Sequence, residues 1–285
     1  MANNVRFVLS SNPANLARAI AGKRSVTVEA EYGKGCVPGT ELTMAHHGPR
    51  AGQPAPCSYP NGCVSTVEVV GLSHSDLDSL GGCAAVIDEK PEADSFWRLA
   101  EFVDLNGQHK INKSGASEED IRRYFAFVAW EEKNKVFPSR DGSVSDVTEH
   151  VLTAVGVLKK ILKDDPELLK IGDEYRANEV KLNNESFIDS RGGVALRIHP
   201  DFVNHLYGTP EGEDVKAIVR FSPVGRTITV SFADPPTGKN AREILQGLFG
   251  EKAGGHNSIA GSPREQKMTL EDVLATYNAT IEAVK

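Results

Sequence analysis

A chain of 285 residues, 40% hydrophobic and 25% charged, is long enough for a substantial core and two domains. Its net charge of −7 argues against a broad basic face that tracks duplex nucleic acid, while leaving room for a small phosphorylated molecule held by a few cations. No window has the length of a membrane span, the first residues show no signal-peptide pattern, and four cysteines (Cys36, Cys57, Cys63, Cys83) are too few for a disulfide scaffold, so the expected setting is a reduced cytoplasm.

In chain order, residues 4–10 read as a short strand, and Asn12-Pro13 opens a helix over Ala14–Ala21. Ser25–Tyr32 alternates as a strand does. A loop rich in Gly and Pro follows from Gly33 to Gly62, broken by a short strand over Glu41–Ala45 that ends at His46-His47, with Arg50 just beyond. Two histidines and an arginine there could supply a metal ligand and a phosphate clamp; exposed loop histidines are the plain alternative. A zinc site using His46, His47, Cys57 and Cys63 is a further option, although the Cys57–Cys63 spacing is looser than that of zinc fingers.

The most informative stretch is Val67–Val86, a buried strand running into small, helix-compatible residues. Between them stand His74, Asp76 and Asp78, every second residue, which an extended segment points to one side. A helix cap needs only one such residue, whereas three in register suit manganese, magnesium or zinc. The tip of a strand that feeds a helix is where open α/β sheets place their chemistry. Gly81-Gly82 lets the backbone come close to a ligand or a neighbouring strand.

Phe96–Val103 reads as another strand, ending in Asp104, with His109 five residues on. Ser117 caps a helix over Ile121–Lys135, and Val147, Val151, Val155, Leu158 and Leu162 form a helical stripe with Asp146 at its cap and His150 beside it. The charged stretch 163–185 reads as a solvated connecting helix, with a domain boundary near 180. Beyond it lie strands at Val194–Ile198 and Val215–Phe221, a hairpin into Arg226–Phe232, a helix over Ala241–Phe249 and a closing helix capped by Thr269. The loop Gly254-Gly255-His256, with Arg264 nearby, suits close approach to an anion.

Two of these motifs resemble the DHH phosphoesterases: Ser-His74-Ser-Asp76-Leu-Asp78-Ser matches their first motif, and Gly254-Gly255-His256 with Ala260-Gly261 is similar to the signature of their C-terminal domain. The resemblance covers roughly residues 65–285. It implies an α/β fold, with a parallel-sheet DHH-type domain over 1–180 that includes an N-terminal extension (1–65), and a smaller α+β substrate-binding domain over 181–285. It implies a centre of two manganese ions, magnesium or zinc being alternatives, that hydrolyses phosphoanhydride or phosphodiester bonds. His74 and Asp76 would hold one ion, Asp78 the other, and Asp104 would bridge them.

The eponymous Asp-His-His does not follow Asp104. Either His109 takes its place as ligand, or the N-terminal extension lends His46 or His47, and one of these three would also serve the leaving group. Asp146, or else Glu131 or Glu132, stands for the last acidic ligand. Gly254, Gly255, His256, Arg264 and Arg50 would bind substrate. The expected substrate is a short oligonucleotide, dinucleotide, cyclic dinucleotide or nucleoside bisphosphate, with no membrane partner and a homodimer left open. A non-catalytic nucleotide-binding protein on the same fold is the alternative.

Overall fold

The structure is a computed structural model describing residues 5–30, 37–234, 236 and 238–285. It is a mixed α/β protein with two mixed sheets, divided into two compact units, Met1–Tyr175 and Arg176–Lys285. The division falls inside a long helix, α6 (Pro166–Ser186).

The first unit is built on strands β1 (Arg6–Leu9), β2 (Ser25–Val28), β3 (Leu42–Met44), β4 (Val69–Leu72) and β5 (Ser145–Asp146), in spatial order β3-β2-β4-β1-β5. The first four are parallel, and the two-residue β5 runs antiparallel on the β1 edge. β4, the last parallel strand in sequence, lies at the centre between β1 and β2. Helices α1 (Pro13–Ile20), α2 (Leu77–Val86), α3 (Asp94–Asn106), α4 (Glu118–Asn134) and α5 (Thr148–Ile161) complete the unit.

Strand alternation explains how both sheet faces are covered. Val8 and Val69 point into a small core with Leu16 and Ile20 of α1. Phe7, Leu9, Val70 and Leu72 point the other way, into the main core with Leu80, Phe96 and Leu158. Gly71 in the middle of β4 is required by close approach, because a Cβ there would stand 2.9 Å from Leu16 Cγ.

Phe96–Val103, expected as a strand, is part of helix α3. Phe96, Leu99, Ala100 and Val103 are buried at helical spacing, and that periodicity outweighs the run of apolar residues. The strand expected over Ser25–Tyr32 stops at Val28, and its later part falls partly outside the described residues.

The second unit carries β6 (Phe187–Arg191), β7 (Val194–Ile198), β8 (Ala217–Ser222), β9 (Thr227–Phe232), β10 (Gly254–Gly255) and β11 (Ile259–Gly261), in order β10-β11-β9-β8-β7-β6. Only β7 and β8 pair in parallel. Helices α7 (Ala241–Phe249) and α8 (Leu270–Val284), each opened by a full capping box, pack on one face through Ile244, Leu245 and Tyr277.

On the opposite face Arg197 is wholly buried. Its guanidinium donates to the carbonyls of Asn183, Leu206 and Gly208, to Asn183 Oδ1 and to Ser186 Oγ, at 2.6–3.0 Å. Arg197→Met keeps much of the volume but strands these acceptors without donors. It is expected to cost about 3 kcal/mol, read as a lower urea midpoint for unfolding of the second unit.

Candidate metal centre

Strands β2, β3 and β4 end level with one another, since Val28 pairs with both Met44 and Leu72. The next residues therefore leave the sheet along one C-terminal edge: Glu29 after β2, Ala45-His46-His47 after β3, and Ser73-His74 after β4. Helix α2 starts at Leu77, with Asp76 as its N-cap accepting from the Ser79 amide at 2.9 Å. The extended register expected over 74–78 thus breaks before Asp78, which occupies the first turn of α2. Asp104 arrives from the last turn of α3.

Two overlapping groups result, Glu29 with His46 and His47, and His46 with Asp78 and Asp104. Within each, one candidate ligand atom per residue lies within 4.8 Å of the others. His46 is common to both. Its Nε2 stands 2.8 Å from Asp104 Oδ2, 3.2 Å from Asp78 Oδ2 and 3.7 Å from Glu29 Oε1. His47 Nε2 reaches Asp104 Oδ2 at 2.6 Å, and the two imidazoles lie 4.3 Å apart between centroids, tilted by 50°. Beside them His74 Nε2 pairs with Asp76 Oδ2 at 3.1 Å.

Several contacts hold the centre in place. The Cys57 amide donates to Asp78 Oδ1 at 2.8 Å, leaving Oδ2 for the His46 side. Arg50 donates to the carbonyls of Thr43 and Ala45, bracing the backbone that delivers the two histidines. Glu29 has a φ of +53°, unusual for a side chain this size, with its amide bonded to Met44 O and its carbonyl accepting from Ser73 Oγ.

The Gly81-Gly82 pair is what lets Cys57 come so close. A Cβ at Gly81 would stand 2.6 Å from Cys57 Cβ, and one at Gly82 2.8 Å from Pro56 Cβ. Gly81→Ala is expected to push the Pro56–Ser58 turn away, cost about 2 kcal/mol and weaken metal binding together with thermal stability. Calorimetric metal titration beside a melting curve checks it. Unchanged affinity would separate the turn from the centre.

Electrostatics set the group apart from a surface cluster. Burial, reinforced by Asp78, lifts the Glu29 carboxyl to about 8. Burial opposes charge on His46, but Asp78, Glu29 and Asp104 outweigh it and raise the imidazole to about 9. Burial with Asp76 and Asp78 also raises Asp104. Asp76, only partly buried, is held well below the carboxylate range by His74 and the Ser79 amide, against the opposing effect of burial. Glu29 Oε1, His46 Nε2 and Asp78 Oδ2 are buried without a hydrogen-bond partner. Buried polar atoms are rarely left so, and all three belong to the two groups that share His46. These acidic and imidazole groups could hold a metal ion.

Other expected residues lie apart from these groups. Asp146 is on edge strand β5, half exposed, where its carboxylate pairs with Arg6 at 2.7 Å and accepts from the Thr148 amide. His109 sits in the short 3-10 turn Gln108–Lys113, its ring close over Gly107. Glu131 lines a cleft of about 250 Å³ together with Asp76, Asp78, Asp104, Gln108 and Tyr124, while Glu132 is exposed. No cysteine joins a three-residue metal group among the described residues; Cys57 and Cys83 are buried, and Cys36 lies outside those residues.

In the second unit Gly254 and Gly255 form strand β10 against β11, and with Lys252, Ser262 and Arg264 they line a cleft of about 590 Å³. His256 is exposed on the hairpin tip, its amide bonded to Ile259 O.

Sequence reasoning missed Glu29. Alternation alone made it an outward residue of a strand, and the available signal was an acidic residue standing directly after the buried run Val26–Val28. Among the described residues no helix is long and apolar enough to cross a membrane. No model of a known protein family matches the chain, and a search of curated proteins finds no similar sequence.

Proposed function

We propose that the protein is a metal-dependent phosphoesterase acting on a small phosphorylated substrate, with two divalent cations, manganese first among them, at the Glu29–His46–His47–Asp78–Asp104 centre. One observation carries the reading: side chains from four separate segments at the C-terminal edge of a parallel sheet converge around His46, and three of their buried atoms have no hydrogen-bond partner. The donor set of carboxylate oxygens and imidazole nitrogens suits manganese, magnesium or zinc. His46 is placed to serve both groups, and Asp104 of the second is bonded to His47 of the first. When bound, such cations supply Lewis-acid activation of a phosphoryl group and a water of lowered pKa.

The chain's own residues supply the rest. The Cys57 amide fixes which oxygen of Asp78 faces the centre. His47, more exposed than His46 and hydrogen-bonded to Asp104, orients that carboxylate and, where it is not itself a ligand, would be the proton donor to a leaving oxygen. The adjoining cleft, with Gln108 and Tyr124 on its wall beside Asp78 and Asp104, offers space for a substrate next to the centre. The resemblance to DHH phosphoesterases supports the same reading.

The test is a substrate screen with manganese-loaded protein on short oligoribonucleotides, pApA, cyclic dinucleotides and pAp, run beside Asp104→Asn. At least one substrate is expected to be cleaved by the wild type and spared by the variant. If all four classes survive the wild type, the hydrolase reading is wrong. Saturable dinucleotide binding without turnover would instead identify a nucleotide-binding protein.

A further inference from the structure

A second cleft in the same unit, of about 490 Å³, opens between α4 and α5 and is lined by Trp130, Asn134, Asp146, Glu149, His150 and Thr153, with Val136 and Val147 behind them. We propose that this cleft is a nucleobase pocket, taking the base of a nucleotide whose phosphate lies at the carboxylate–imidazole centre. The proposal rests on the phosphoesterase reading for the phosphate end only.

The rings come first. Trp130 and His150 lie nearly parallel, 17° apart with centroids at 6.1 Å, and Phe127 backs the indole at 5.7 Å. Trp130 is only partly buried, and no hydrogen bond engages its indole N–H among the described residues. A tryptophan face and a free N–H on a cleft wall suit a flat heteroaromatic ring, because every base offers a π-face and ring acceptors.

Charge decides which end of a nucleotide enters. Asp146 and Glu149 line the cleft and, among the described residues, no lysine or arginine does. Asp146 is already paired with Arg6, so Glu149 carries the discrimination: it repels a phosphate and offers the exocyclic amine of adenine or cytosine a carboxylate acceptor. Burial keeps His150 below its ordinary pKa, so it meets the base as a neutral ring.

Position links the pocket to the centre. His150 Nε2 bonds Ser75 Oγ at 3.0 Å, and Ser75 lies between His74 and Asp76 on the same turn. On the other wall Glu131, next to Trp130, lines the cleft that holds Asp76, Asp78 and Asp104. A volume of this size is ordinary for a small-molecule site.

The test uses the full metal-free chain with adenosine, cytidine, uridine and ribose, followed by tryptophan fluorescence and calorimetry, so that turnover plays no part. Adenosine and cytidine are expected to bind and perturb the fluorescence, uridine more weakly, and ribose not at all. Trp130→Ala should raise the nucleoside dissociation constant by about 10- to 100-fold. Thr153→Phe fills the cleft from an exposed rim position, leaves Trp130 in place, and should weaken calorimetric binding comparably.

Absence of nucleoside binding, ribose binding as well as adenosine, or both variants binding like wild type would overturn the pocket. Equal affinity for uridine and cytidine would overturn the role given to Glu149. The base-free ester bis(p-nitrophenyl) phosphate with manganese separates the two readings. Its survival counts against hydrolysis and leaves the nucleoside result standing, while its cleavage by Trp130→Ala at the wild-type rate assigns Trp130 to base binding alone.

Discussion

Replacing His46 by alanine is expected to abolish high-affinity metal binding and lower turnover of any cleaved substrate by about a thousand-fold or more. The reason is topological as well as chemical. His46 belongs to both three-residue groups, whereas Glu29 and His47 belong to one and Asp78 to the other. Losing it removes a ligand from each. It also leaves Asp78, Asp104 and Glu29 facing a void with no cation among them, so the metal-free variant should be less stable than the metal-free wild type. His47→Ala, altering one group at a more exposed position, should lose less affinity than His46→Ala. Calorimetric titration with manganese and melting curves in EDTA read both effects. Equal affinity in the two variants would show that the shared position of His46 has no consequence.

The second large effect is on pH dependence. In metal-free protein Glu29 is raised from 4.5 to about 8 and His46 from 6.5 to about 9. Both shifts have the same sign: the folded state holds a proton more tightly than the unfolded chain. Their contribution is complete below the unfolded pKa values and is lost as pH rises through the folded ones. Metal-free protein should therefore lose stability between roughly pH 5 and 9, with a fall in melting temperature of about 5 °C or more. Asp76 and Asp146, both lowered, act in the opposite sense but below about pH 4, outside this window.

Manganese should reverse the trend. Its ligands must shed those protons, so binding tightens with pH and the stabilisation it confers is larger at pH 8.5 than at pH 6.5. Glu29→Gln should flatten the metal-free slope between pH 5 and 8. A metal-free melting temperature that is level or rising across this range would contradict the raised proton affinity of buried Glu29 and His46.

Local pattern carried most of the elements, and distance in sequence decided what it could not carry. The caps at Asn12, Ser117 and Thr269 and the short apolar runs and hairpin turn of β7 to β9 lie within a few residues of what they determine, and their elements formed accordingly. The nature of α3 was also local, but the apolar run in Phe96–Val103 drew attention from its threefold and fourfold spacing. The partners of Asp104 were a different matter. His47 is 57 positions away and reaches it only because β3 and α3 arrive at one edge, a fact no window contains. Likewise Asp146 looked like a ligand until β5 placed it opposite Arg6, 140 positions away. The alternating His74, Asp76 and Asp78 identified the right turn, yet the helix begins between the last two and separates their roles.

The central place of β4 bears on how the chain can be made. β1 and β2 do not touch, and each finds its parallel neighbour only when residues 69–72 slot between them. A nascent chain shorter than that can at most pair β2 with β3, and it carries β1 with its backbone donors and acceptors unmatched. Synthesis must run on through α3 before the five candidate ligands, Glu29, His46, His47, Asp78 and Asp104, can meet. Until then the exposed strand edges are open to wrong pairing, so a ribosomal pause ahead of Val69 would be hazardous and one after Asn106 benign.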